Sequence, residues 1–168
     1  MKTIMFVMFL SISNVSASEL IGSWSTCEKV DEVSELEYTV DFKADGKEYE
    51  YQIYSKIGKT PCSGLPLFAS ATTWNYTQES NSFHSSLVKF IVATELPHIA
   101  KTFSTDKECG LINWKAGEIV DCTDKLFLDA PFKKGMRTAH TYSIKGNQLH
   151  VISENGETTI LTKKEGEK

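Results

Sequence analysis

The chain has 168 residues, 18 lysines and arginines against 22 aspartates and glutamates, and a formal net charge of −4. That acidic balance argues against nucleic acid, whose phosphates demand a basic face, and against electrostatic docking to anionic lipid. The length is that of one domain with a core of its own, so disulfides would supplement burial rather than replace it.

Met1-Lys2-Thr3 leads into the apolar run Ile4 to Leu10, and Val15-Ser16-Ala17 follows with small residues. A cation, a short apolar run and a small-residue site form the pattern of a secretory signal. The expectation is a signal peptide over residues 1–17, cut near Ala17, and a single domain over 18–168 that is secreted or periplasmic. The apolar run is shorter than the roughly 20 residues that cross a bilayer, and no later stretch is apolar enough for a transmembrane helix.

Immediately after the expected cut comes Leu20-Ile21-Gly22-Ser23-Trp24-Ser25-Thr26-Cys27, which reads as a first strand. Leu36, Tyr38, Val40 and Phe42 then alternate with Glu37, Thr39, Asp41 and Lys43, the period of a strand with one apolar face. Asp45-Gly46 is the strongest short hairpin signal. Tyr49, Tyr51 and Ile53 follow, alternating with Glu48, Glu50 and Gln52. On this reading the tyrosines lie on the apolar face and the paired acids on a solvated one. Residues 58–64, with Pro61 and Cys62, form a loop.

Leu67 to Tyr76, containing Trp74, is rich in strand-favouring residues, and Phe83 to Thr94 reads as another strand. Pro97 breaks the chain before a short strand around Ile99 to Phe103. Leu111–Trp114 and Glu118–Cys122 are expected as the arms of a hairpin opened by Cys109-Gly110. Lys125 to Leu128 is a further short strand, and 131–135 a basic loop. A terminal meander runs through Thr138–Ile144, Gln148–Ser153 and Thr158–Lys163, with turns at Gly146-Asn147 and Asn155-Gly156. The last residues, 165–168, read as a frayed tail.

Four cysteines in an exported chain point to disulfides, and four allow three pairings. Cys27–Cys62 and Cys109–Cys122 are favoured because each joins sequence neighbours. A zinc site fails on spacing, since no Cys-x-x-Cys or Cys-x-x-His occurs, and no metal or cofactor is expected. About eight to ten strands separated by frequent turns mean an all-β fold, either a sandwich or an up-and-down barrel.

Gly22-x-Trp24 at the head of such a chain resembles the lipocalins and the wider calycin group. The added positions Cys27, Cys62, Cys109, Gly110 and Trp114 are similar to those of bacterial secreted lipocalin-like proteins. The resemblance implies an antiparallel up-and-down β-barrel. It also implies a structural role for Gly22 and Trp24 at the closed end and a cation over the indole. Lys163, at the end of the last strand, fits that position better than Arg137, the only arginine. The family's Thr-Asp-Tyr loop would fall at Thr105-Asp106-Lys107, where the tyrosine is missing.

Inward aromatic residues would give a small barrel an apolar wall with polar tips. Tyr49, Tyr51, Trp74, Tyr76 and Phe90 are the candidate ligand contacts, and Arg137 a candidate clamp for a carboxylate headgroup, as guanidinium suits that geometry. His140 and His150 approach across the terminal hairpin without a clear third metal ligand. No catalytic motif is present. The leading reading is a secreted lipocalin-like barrel that binds a small hydrophobic or amphipathic molecule non-covalently, rather than an enzyme. A second is an exported protein-binding or inhibitor module whose protein partner docks on loops near Cys62 and Pro131. A third, a small-barrel enzyme using tyrosine, histidine and Arg137, has no visible constellation behind it.

Overall fold

The structure is a computed structural model and describes residues 19–164. The expected signal peptide and the expected frayed tail lie outside the described residues. Eight antiparallel strands close into a barrel: β1 (Gly22–Lys29), β2 (Ser34–Phe42), β3 (Lys47–Lys56), β4 (Pro66–Glu79), β5 (Ser82–Ala93) and, after an excursion, β9 (Arg137–Lys145), β10 (Gln148–Ser153) and β11 (Thr158–Lys163). Each strand pairs with its sequence neighbour in the barrel, β5 pairs with β9, and β11 returns to β1. Closure leaves no unpaired edge within the barrel wall. The expected all-β up-and-down barrel is therefore what the chain forms, with the disulfides Cys27–Cys62 and Cys109–Cys122 as favoured.

The excursion between β5 and β9 contains helix α1 (Pro97–Asp106), a 3₁₀ turn (Glu108–Gly110) and three short strands, β6 (Ile119–Asp121), β7 (Lys125–Phe127) and β8 (Ala130–Phe132). Strand β6 adds to the far half of β5, while β7 and β8 pair with each other. The short strand expected around Ile99–Phe103 is a helix instead. Pro97 starts it rather than breaking the chain, because the first turn of a helix needs no N–H from that residue. Ala100 and Phe103, three apart, form its buried face.

The expected hairpin arm Leu111–Trp114 is irregular. Trp114 is fixed to the helix region instead, its backbone N–H donating to Ser104 Oγ and its indole N–H to the Glu108 carbonyl, both at 2.9 Å. No strand partner is needed once both donors are satisfied.

Two apolar clusters result. One, at the end of the barrel where β1 begins, contains Leu20, Trp24, Phe42, Phe83, Leu149 and Leu161. Trp24 is 1% exposed, and its indole N–H donates to the Leu20 carbonyl at 2.9 Å. Lys163, directly opposite Trp24 on β11, places its ammonium 5.2 Å from the ring centre. The other cluster packs α1 and the excursion against the far ends of β4 and β5. Phe68, Phe90, Phe103, Trp114 and Phe127 meet there, with the buried Cys109–Cys122 disulfide among them.

Candidate functional site

The site is set by the turn between β2 and β3. Lys43 N–H donates to the Lys47 carbonyl at 2.8 Å, and Gly46 N–H to the Lys43 carbonyl at 3.2 Å. The loop is thus three residues, Ala44-Asp45-Gly46, with Gly46 at φ +76 supplying the left-handed position that such a loop ends on. This register puts Glu48 opposite Phe42 and Glu50 opposite Val40. A two-residue Asp45-Gly46 turn would put Tyr49 opposite Phe42. One residue of slip exchanges the two faces of a strand.

The faces of β3 are therefore the reverse of those expected. Glu48 is only 3% exposed, and Glu48, Glu50 and Gln52 face the barrel interior. Tyr49 and Tyr51 stand on the opposite face, where Tyr51 is 44% exposed beside an outer groove shared with Ile53, Ala71 and Ile91. Neither tyrosine lines the interior cavity.

That cavity has a volume of about 260 Å³. Val40, Phe42, Phe83, Val151 and Leu161 form apolar wall, while Tyr38, Glu48, Glu50 and His140 supply polar groups. Glu28 and Glu157 are exposed residues of the same lining and mark its rim. The volume lies just under the range of about 300–1,000 Å³ usual for small-molecule sites.

Inside it, Glu50 accepts two hydrogen bonds, from the Tyr38 hydroxyl at 2.6 Å and from the Trp74 indole N–H at 2.7 Å. Glu48 accepts one, from the Ser85 hydroxyl. Burial, and then the neighbouring Glu50 charge, push the Glu48 carboxyl up to about 8, with the Ser85 bond opposing. Burial also raises Glu50, against the lowering effect of its bonds from Tyr38 and Trp74. Two close carboxyls in a desolvated space do not both ionise readily. Since Glu50 has two donors and Glu48 one, the hydrogen bonds favour the anion on Glu50 and the proton on Glu48. The Tyr38 phenol is held well above its ordinary range by burial and by the Glu50 charge.

His140 stacks on Phe83 at 4.9 Å between ring centres, and its buried Nδ1 has no hydrogen-bond partner. Burial lowers its pKa, Glu154 opposing and His84 assisting.

The remaining expected contacts are dispersed. Trp74 reaches the interior through Glu50. Tyr76 packs edge-on against Phe42 and donates its hydroxyl to the Lys43 carbonyl at 2.9 Å, which places it in the closed-end cluster. Phe90 belongs to the far cluster, stacked on Phe132 at 3.7 Å. Arg137 is exposed at the start of β9, in an outer depression with His84, Ser86 and Glu154. It does not join His140, whose odd spacing from it puts the two on opposite faces of β9. His140 pairs with Ser153 of the cavity wall, whereas His150 pairs with the exposed Ile160, so these two histidines also face opposite ways.

Among the described residues, no helix is long and apolar enough to cross a membrane. The one metal-like grouping among the described residues, Cys27, Glu35 and Cys62, contains the two sulfurs of a disulfide, and Glu35 there accepts the Cys62 backbone N–H at 2.9 Å. Comparison with protein-family models finds no match for this sequence, and comparison with the curated proteins finds none either.

Proposed function

We propose that the protein is an exported, lipocalin-like carrier that holds a small amphipathic molecule non-covalently inside its barrel. The observation behind this reading is the interior cavity of about 260 Å³, with apolar walls and a few convergent polar groups. Gly22-x-Trp24 with Lys163 over the indole supports membership of the lipocalin and calycin group. Two disulfides support an oxidising compartment outside the cytoplasm.

The reading is tested by titrating the folded protein with the uncharged dye N-phenyl-1-naphthylamine. Saturable fluorescence with one site per chain is expected. Substitution of Thr26, which lines the cavity, by Phe should abolish it while the thermal midpoint is retained. A dye signal equal in the Thr26→Phe variant would place the binding elsewhere.

A second reading, a protein-binding module, is supported by apolar side chains exposed on the loops. Val33 is 69% and Leu65 55% exposed, and the Ile57 N–H donates to the Val33 carbonyl to join their two loops. A Val33→Ser, Leu65→Ser variant would then lose its partner while still binding the dye.

A further inference from the structure

The cavity contains an electrostatic imbalance. Four glutamates line it, Glu48 and Glu50 inside and Glu28 and Glu157 toward the rim, and no lysine or arginine is in the lining. Among the described residues, neither Glu48 nor Glu50 takes part in an ion pair. Buried charges are ordinarily paired, because an isolated carboxylate in a low-dielectric space is costly. Tyr38, Trp74 and Ser85 donate hydrogen bonds to the pair but bring no positive charge. His140, the one lining group that can become cationic, is biased toward its neutral form by burial.

We propose that the occupant of the barrel is a small organic amine, its ammonium group held by Glu48 and Glu50 and its apolar body packed against Val40, Phe42, Phe83 and Leu161. This rests on the carrier reading above and adds the chemistry of the ligand.

The donor arithmetic fits. An ammonium has three N–H donors, and carboxylate oxygens that already accept one hydrogen bond retain a further lone pair. Glu48 is 97% buried by its 3% exposure, lines the cavity, and has a single side-chain donor, Ser85. It is therefore the group with acceptor capacity to spare. A bare calcium ion would ask for about six to eight oxygen ligands, which a wall of Val40, Phe42, Phe83 and Leu161 does not supply. The unpartnered Nδ1 of His140, in the same lining, is a further polar atom that a ligand could satisfy.

Binding a cation favours the ionised form of Glu48, so amine binding releases a proton at neutral pH. The groups around Glu48 are Glu50 on β3, Tyr38 on β2, Tyr76 on β4 and Ser85 on β5, while His140 on β9 shares the cavity lining with Glu28 and Glu157 at the rim. Of these, only His140 gains positive charge on acidification, and that opposes a cation. Both effects weaken amine binding as the pH falls.

The test is isothermal titration calorimetry at pH 8 with three probes of similar size: 2-phenylethylamine, 2-phenylethanol and 3-phenylpropanoate. The amine should bind roughly tenfold to a hundredfold more tightly than the alcohol, the range expected of a charge-assisted bond, and the carboxylate least well. Glu48→Gln should remove most of that advantage by weakening amine binding far more than alcohol binding. In the unaltered protein, amine affinity should fall by up to about tenfold per unit from pH 8 to pH 6, which tests the assignment without any variant. Equal affinity for amine and alcohol, or preference for the carboxylate, would overturn the inference and leave the carrier reading standing. So would a calcium chloride titration that saturates one site and displaces the amine. If none of the three probes binds and the uncharged dye also fails, the carrier reading falls and this inference with it.

Discussion

The Trp74 indole N–H donates to Glu50 at 2.7 Å between the adjacent strands β4 and β3, on the face that lines the barrel interior, so an aromatic side chain serves as a donor to a carboxylate rather than as apolar wall. Glu50 is shared with Tyr38, and the two donors serve a carboxylate in a cavity lining without lysine or arginine. Replacement of Trp74 by Phe keeps most of the ring and removes the N–H. A lost hydrogen bond to a charged group costs about 1.5–3 kcal/mol, to be read as a lower urea midpoint at unchanged slope. It should also raise the pH at which Glu50 ionises, visible in the carboxyl carbon shifts.

Stability should depend on pH in an unusual direction. Glu48 is raised to about 8 in the folded chain from an ordinary value of 4.5. Between those limits the native state binds a proton that the unfolded state has lost. The stability associated with that proton is full below pH 4.5 and declines as the pH rises toward 8. The decline is on the order of 3–5 kcal/mol across the window. Urea unfolding at pH 5 and pH 8 measures it, and Glu48→Gln should flatten the slope. An unaltered slope in that variant would remove Glu48 as its source.

The closed end makes a separate prediction. Gly22 has φ +137, and a Cβ built there would lie 3.4 Å from Lys163 Cε. Gly22→Ala therefore carries backbone strain of about 1–3 kcal/mol, with the added methyl in contact with the lysine stem. Lys163→Met, which keeps the stem but removes the charge, should cost only about 0.5–2 kcal/mol. Thermal midpoints of the two variants, compared at constant pH, should fall in that order.

The two disulfides should differ in what they hold. The closed loops span separations of 35 and 13 residues, for which chain entropy gives contributions of about 4 and 3 kcal/mol. Cys27→Ala, Cys62→Ala should lower global stability. Cys109→Ala, Cys122→Ala should in addition loosen α1, because that bridge is buried among Phe90, Phe103 and Trp114. Amide exchange would then accelerate in residues 97–106 ahead of the barrel strands.

How much of this was legible in the sequence depends on whether the signal was local. The terminal meander and the cysteine order gave strands and bridges that depend on neighbours in sequence, while the place of Lys163 over Trp24 was implied by the resemblance that Gly22-x-Trp24 carries. The faces of β3 were not legible. Asp45-Gly46 fits both a two-residue and a three-residue loop, and the difference decides whether tyrosines or glutamates point inward. The apolar pattern of Tyr49, Tyr51 and Ile53 pointed the wrong way because their face lies on the outer wall, in a partly apolar groove. Glu48 and Glu50 were missed as site residues for this reason, whereas Tyr38 stands on the face of β2 that was read as apolar. Their only sequence signal was a pair of acids in a strand otherwise dense in β-formers. Helix α1 was hidden because Pro97 reads as a breaker unless the residues after it are known to turn.

The most direct test of the account is native mass spectrometry of the folded protein, purified without denaturation from the cells that make it and then extracted with solvent. The account predicts a discrete added mass, lost on extraction, belonging to a small molecule with a basic nitrogen and an apolar body. A bare polypeptide mass that also fails to shift when the folded protein is incubated with 2-phenylethylamine and with N-phenyl-1-naphthylamine would contradict it.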